Sequence, residues 1–316
     1  MKVADLIAID THVHAEVSCC QPPDPFGKEF DDAADKYFGA AFANGRRPSI
    51  PETIDLYRER KIGFCMFTVD CETNLGRRRI PNEEIADFAQ ANSDIMIAFA
   101  SIDPHKGKMG AREARRLIED HGVRGFKFHP TLQGFFANDR MAYPIYEVIA
   151  EHKLPAIFHT GHSGIGSGMR AGGGLKLKYS EPIYLDDVAA DFPDMKIVAA
   201  HPSWPWQEQA LSIALHKPNV YIDLSGWSPK YFSPELIKYA NTLLKRKMLF
   251  GSDFPLIHPD RWLEDFAATG FKPEARPLTS KPRARLQSHA RPRRLRGRVP
   301  VESGGLSRSA RGLHLL

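Results

Sequence analysis

Between Leu6 and Pro255 the chain alternates short, continuous apolar runs with longer segments whose apolar residues recur at helical spacing. The runs read LIAID (6–10), FCMFTV (64–69), IMIAFA (95–100), GFKF (125–128), PAIFH (155–159), KIVAA (196–200), VYIDL (220–224) and MLFGSD (248–253). Unbroken apolar runs mark strands buried on both faces, as in a parallel sheet covered by helices. Between them lie amphipathic segments such as ETIDLYRERK (52–61), EEIADFAQA (83–91), AREARRLIED (111–120), YEVIAEHK (146–153), LDDVAADF (185–192) and PELIKYANTLLKRK (234–247). Asn82 ahead of Glu83 and Glu84 predicts a helix start, and Gly122 a helix stop. Eight such βα units predict a closed (β/α)8 TIM barrel. An open, doubly wound sheet is the rival, and it is disfavoured because no GxGxxG follows the first strand. Two connections break the rhythm: residues 15–50, with little periodicity, and the Gly-rich residues 161–180. Both leave strand ends on the face where barrel active sites lie.

Charge divides the chain in two. Of its 43 basic and 38 acidic residues, 12 and 2 fall in residues 271–316, so the net charge of +5 hides a mildly acidic body and a strongly basic tail. Residues 1–270 read as one catalytic domain of barrel size, with 42% hydrophobic residues across the chain to supply its core. Residues 271–316 are rich in Arg, Pro, Ser and Gly without an apolar stripe, and they read as disordered. Such a mixture is what a shifted frame in GC-rich coding sequence would yield. The other reading is a basic arm for nucleic acid or a membrane surface, disfavoured because no aromatic or motif pattern accompanies it. The start MKVADLIAID has no signal-peptide core, and no apolar run suits a membrane span. Cys19, Cys20, Cys65 and Cys71 form neither a disulfide framework nor a metal motif, which predicts free thiols and a cytoplasmic location.

Histidines supply the chemistry. In Asp10-Thr-His12-Val-His14 the two imidazoles share one side of an extended strand, directed into the barrel mouth. An HxH alone is weak, because 13 histidines will sometimes fall so by chance. The conjunction is stronger: His159 ends the fifth strand, His201 follows the sixth, and Asp253 ends the eighth, so four histidines and an aspartate share one rim. Imidazole plus carboxylate suits one divalent metal, zinc first and manganese second.

The segments DTHVH, GFKFHP, IFHTG, AAHPS and LFGSDFP, in that order, resemble the amidohydrolase superfamily, in the branch of aminocarboxymuconate-semialdehyde and resorcylate decarboxylases. GFKFHPTLQGF, HTGHSGIG, AAHPSWPWQ and NVYIDLSGWSPKYF further resemble enzymes of aromatic-acid catabolism such as the 4-hydroxyphenyl-β-ketoacyl-CoA hydrolases. The resemblance implies His12, His14, His159 and Asp253 as metal ligands, with His201 acting on the substrate and Asp253 doubling as proton acceptor. It places Lys127 near a strand-four position that carries a carboxylated lysine in binuclear relatives. Here Lys127 would pair with a substrate anion or be structural, and His129 would stand behind the ligands or at a strand end. Relatives close the barrel with a final amphipathic helix, which the tail here lacks, and are commonly homodimers.

Around this rim, Arg170, Lys176 and Lys178 are candidates to grip an anionic substrate, carboxylate or coenzyme A phosphate. Trp204, Trp206 and Trp227 are candidates to wall an aromatic pocket. Asp70 and Glu72 stand after strand two with no supported role. The first functional expectation is metal-dependent hydrolysis of a small aromatic acyl compound, including C–C cleavage of a β-ketoacyl-CoA. The second is non-oxidative decarboxylation of an aromatic or muconate-type acid at the same five residues. The third, a non-catalytic or nucleic-acid-binding protein, conflicts with so complete a residue set.

Overall fold

A computed structural model describes residues 5–24, 27–39 and 47–275. The disorder expected of the basic tail concerns residues that lie, from 276 onward, outside this range. Eight parallel strands run in chain order: β1 Ala8–His14, β2 Ile62–Phe67, β3 Met96–Ala98, β4 Phe126–Phe128, β5 Pro155–His159, β6 Lys196–Ala200, β7 Val220–Asp223 and β8 Met248–Leu249. They pair as a three-stranded and a five-stranded sheet. Bridges Ala100–Phe126 and Val13–Phe254 join the two and close the barrel. The closing seam is made by Thr11 N–H to the Phe250 carbonyl (3.0 Å), His14 N–H to the Phe254 carbonyl (2.8 Å) and Asp253 N–H to the His12 carbonyl (3.0 Å). The predicted TIM barrel is therefore observed. Inside it, Cys65, Phe67, Phe99, Ile157, Val198, Ala200 and Leu249 form a small apolar plug, distinct from the larger core between strands and helices.

The helices are α1 Lys28–Phe38, α2 Ile50–Glu59, α3 Glu72–Leu75, α4 Asn82–Ala91, α5 Gly107–Glu119, α6 Pro130–Gln133, α7 Tyr143–Glu151, α8 Tyr184–Asp191, α9 Gln207–His216, α10 Pro234–Ala240 and α11 Pro259–Ala267. Three differ from expectation for visible reasons. Helix α2 starts at Ile50 because Ser49 and Glu52 cap each other reciprocally. Asn82 is not a cap: its buried amide exchanges two hydrogen bonds with the backbone of Ser101, tying α4 to the residues after β3. Helix α1 occupies the connection that looked aperiodic, with Phe30, Ala34, Tyr37 and Phe38 at helical spacing. After β8, α11 supplies a closing helix, with Trp262 and Phe266 stacked (5.1 Å, 9°) and Trp262 bonded to the Leu224 carbonyl. No helix among the described residues is long and apolar enough to cross a membrane. All four cysteines are free, with Cys65 and Cys71 buried.

Candidate metal centre

The strand ends carry the predicted residues onto one rim. His12 is fully buried, and its Nδ1 lies 2.6 Å from Asp223 Oδ2. A carboxylate accepts, so Nδ1 carries the proton and Nε2 presents a lone pair. That lone pair lies 3.2 Å from Asp253 Oδ1, which in turn lies 3.1 Å from His14 Nε2. Neither Nε2 of His12 nor Oδ1 of Asp253 can donate to the other, an arrangement that a cation between them would satisfy.

His159 Nδ1 lies 2.9 Å from His201 Nε2, and His201 Nδ1 lies 3.1 Å from Ser225 Oγ. When His159 donates to His201 and His201 to Ser225, His159 Nε2 keeps its lone pair. That atom and Asp253 Oδ1 are buried without a hydrogen-bond partner. Two orphaned acceptors in one pocket are costly in the protein alone and are what a bound divalent cation would relieve. The tightest grouping among the described residues is His12, His201 and Asp253, whose ligand atoms all lie within 4.8 Å of one another. His14 joins through Asp253 and His159 through His201, so the rim assembles all five residues but draws His201 nearer than a substrate-only role implies.

Burial holds His12, His129, His159 and His201 below the ordinary imidazole range, the neutral state a metal ligand requires. Burial opposes ionisation of Asp253, yet the histidines around it hold the carboxyl well below the usual carboxylate range. Backbone strain gathers at the same place: His201 (φ 77°) and Asp253 (φ 68°) occupy the left-handed region without being glycine. Gly226 makes room for the first, since a Cβ there would stand 2.4 Å from His201 Nδ1.

Among the remaining candidates, Lys127 is wholly buried, its Nζ 3.0 Å from His12 Nε2 and 5.0 Å above the Phe67 ring. Burial lowers it to about 8. It does not line the open cavity, so the structure gives it no contact with a substrate anion. His129 does line that cavity, stacked flat on His159 (3.8 Å, 10°), while its Nδ1 accepts from Leu132 N–H. Arg170, Lys176 and Lys178 are exposed and outside the cavity lining. Trp204 is 54% exposed and stands behind the lining, against His162 (5.6 Å) and Trp227 (6.2 Å). Asp70 is buried, accepting from Arg79, Lys106 and the Asp103 amide, which is a structural hub.

Two supports were not read from sequence. Asp223 orients His12. Asp10 is fully buried and accepts four hydrogen bonds: His12 N–H and Ser252 N–H (both 3.0 Å), Tyr57 O–H (2.8 Å) and Ser252 O–H (2.5 Å). It thereby clasps the strand bearing His12 to the turn bearing Asp253. The available signal was a carboxylate inside an apolar run, which is expensive unless it is fully bonded.

A family model described as amidohydrolase matches residues 9–287. The chain belongs to the amidohydrolase family. Solved structures similar to this amidohydrolase include an uncharacterised TIM-barrel protein from Bordetella bronchiseptica, at 22% identity and a TM-score of 0.67, with 85% of this chain and 93% of that one covered. A 2,6-dihydroxybenzoate decarboxylase from Rhizobium aligns at 14% identity and a TM-score of 0.58, with 86% and 95% covered. A dihydroxybenzoic acid decarboxylase from Polaromonas sp., with bound manganese and 2-nitroresorcinol, aligns at 15% and 0.58, with 86% and 93% covered. No curated protein sequence matches. At these identities the alignments establish the shared barrel.

Replacing Asp223 by Asn should lower affinity for the metal by roughly 10–100-fold, since the amide no longer holds His12 in its ligand tautomer. Metal titration of the chelator-stripped variant checks this, and unchanged affinity would remove Asp223 from the centre.

Proposed function

We propose that this amidohydrolase is a metal-dependent carboxy-lyase acting on a hydroxylated aromatic acid. The observation that carries the reading is the pair of orphaned acceptors, His159 Nε2 and Asp253 Oδ1, among neutral histidines at the buried end of one cavity. The 2,6-dihydroxybenzoate bound in one dihydroxybenzoate decarboxylase of like fold and the manganese bound in another favour decarboxylation. His12, His14, His159 and Asp253 would hold one divalent ion, zinc or manganese, with His201 at its border. When bound, the ion supplies positive charge that orients and polarises the acid's oxygens.

The chain's own groups do the rest. His201 lines the cavity beside the reacting position and, once protonated, can deliver the proton that the ring carbon takes up as the C–C bond to the carboxyl breaks, while Asp253 stays ionised as a ligand. His159 and Ser225 hold the His201 ring in place from its two nitrogens. His129 and Trp227 offer flat or apolar faces to the ring.

Release of CO2 from hydroxybenzoates by the metal-loaded protein is the decisive assay. Release that vanishes on chelation and returns on adding Mn2+ or Zn2+ supports the reading, and acid formation from aryl thioesters or β-ketoacyl esters without CO2 would replace it. His201→Ala should retain the metal and lose at least about 10²-fold in turnover, the scale of a single acid–base group. Undiminished turnover would remove His201 from the chemistry. Hydrolysis of an aromatic acyl compound is the second reading, favoured by the cavity's size, about 690 Å3.

A further inference from the structure

The cavity is lined at its buried end by His159, His201 and Asp253 and, toward the surface, by α1 and the segment between α3 and α4, which carries Arg77, Arg78 and Arg79. Its volume, about 690 Å3, lies within the range of about 300–1,000 Å3 for clefts that enclose drug-sized molecules. A one-ring acid at the inner end leaves much of it empty. Apolar wall is supplied by Phe30 and Phe38 of α1 with Leu132, Ile165 and Trp227. The two phenylalanines approach because Gly173 and Gly164 lack side chains. A Cβ at Gly173 would stand 2.8 Å from Phe30, and one at Gly164 2.4 Å from Phe38.

The outer wall is cationic. Among the described residues, four of its five cationic side chains are already matched: Lys28 by Asp32, Arg47 by Glu16, Asp31 and Asp35, Arg77 by Asp31, and Arg79 by Asp70 and Glu113. Arg78 differs. Its guanidinium donates, through Nη2 alone, to the carbonyls of Pro22 and Pro23, and its own amide N–H goes to Asp24. Carbonyls position a guanidinium without neutralising it, and the other edge of the fork keeps its donors for a two-oxygen acceptor.

We infer that the substrate is elongated and carries a second anionic group, a carboxylate or a phosphate set away from the reacting end, and that Arg78 recognises it. The inference rests on the proposed function for the inner end of the cavity and adds a substrate class to it: an aromatic acid joined through an apolar stretch to a terminal anion.

Titration calorimetry on the metal-loaded full chain tests this with four probes. They are salicylate, and salicylate bearing at ring position 4 a flexible chain that ends in a carboxylate, a phosphate or a neutral amide. At least one anion-ended probe should bind about tenfold more tightly than the amide-ended one, the scale of a charge-assisted pair, and the arm that gains identifies the anion. In Arg78→Gln, which keeps donors for the Pro22 and Pro23 carbonyls but loses the charge, that ratio should fall to about one. In Arg78→Lys part of it should remain.

A mere staple for the 20–24 loop would weaken all four probes together and leave the ratio intact, which overturns the proposal. So would equal binding of anion-ended and amide-ended probes to the unaltered protein. Salicylate binding without any gain from a tail sinks this inference alone, whereas failure of every probe to bind sinks it together with the reading of the inner site.

Discussion

Asp253→Asn should strip the metal and lower turnover by roughly 10³-fold, the equivalent of about 4 kcal/mol of lost charge stabilisation. The substitution preserves volume, so any effect comes from charge and from what the atoms can donate. Asp253 Oδ1 now faces His12 Nε2 at 3.2 Å and His14 Nε2 at 3.1 Å without a hydrogen bond of its own. An amide oxygen in that position offers a cation far less, and an amide nitrogen would turn donors toward it. Among the described residues Lys127 is the competing cation there, 3.0 Å from His12 Nε2. Metal content separates the two: if the unaltered protein purifies and reconstitutes without divalent ion, Lys127 is the cation and the metal reading fails. If Asp253→Asn keeps both metal and turnover, the carboxylate is not a ligand.

Asp10→Ala should lower stability by about 3–5 kcal/mol, because it strands two buried backbone N–H groups and two hydroxyls at once. Tyr57 O–H and Ser252 Oγ stand 3.3 Å apart and can partly satisfy each other, so the amides of His12 and Ser252 carry most of the loss. With about 2–4 °C of melting temperature per kcal/mol in a domain of this size, the shift should be at least about 6 °C. Asp10→Asn should be milder. Burial pushes the Asp10 carboxyl up to about 7, so a neutral group of the same shape is close to what the site already holds. Thermal unfolding of both variants, with and without metal, checks this pair. Equal losses for Ala and Asn would mean that the clasp requires the charge or the second accepting oxygen, both of which Asn lacks.

The sequence made some of this legible and hid the rest for local reasons. Strands β5 and β6 match the runs PAIFH and KIVAA residue for residue, because both faces of these strands are covered. Strand β1 continues four residues beyond LIAID: its second half is polar because it faces the site, and hydrophobicity cannot mark it. Strand β8 stops at Leu249 although the apolar pattern runs further, because the chain turns there to bring Ser252 and Asp253 inward. His12, His14, His159, His201 and Asp253 were readable because each ends a strand or follows its end. Asp223 and Asp10 were not, since a carboxylate at a strand end also reads as the start of a turn. The partners that reveal them are 211 and 242 positions away. Charge along the sequence likewise gave no direction: Arg170 is exposed, while the plain run Arg77–Arg79 faces the cavity.

The seam that closes the barrel is also the place where the proposed ligands meet, since His12, His14 and Asp253 or its neighbour Phe254 exchange backbone bonds across it. During synthesis the N-terminal strands emerge first and fold early where they can. Here the first two histidines must wait for a partner strand encoded near the end of the domain. A nascent or prematurely terminated chain lacking β8 would keep β1 as an unpaired edge, open to aggregation, and could not form the proposed metal centre. Metal capture would thus report completion of the domain, and a chelating resin charged with divalent ion would not be expected to enrich fragments that end before residue 253 through this site.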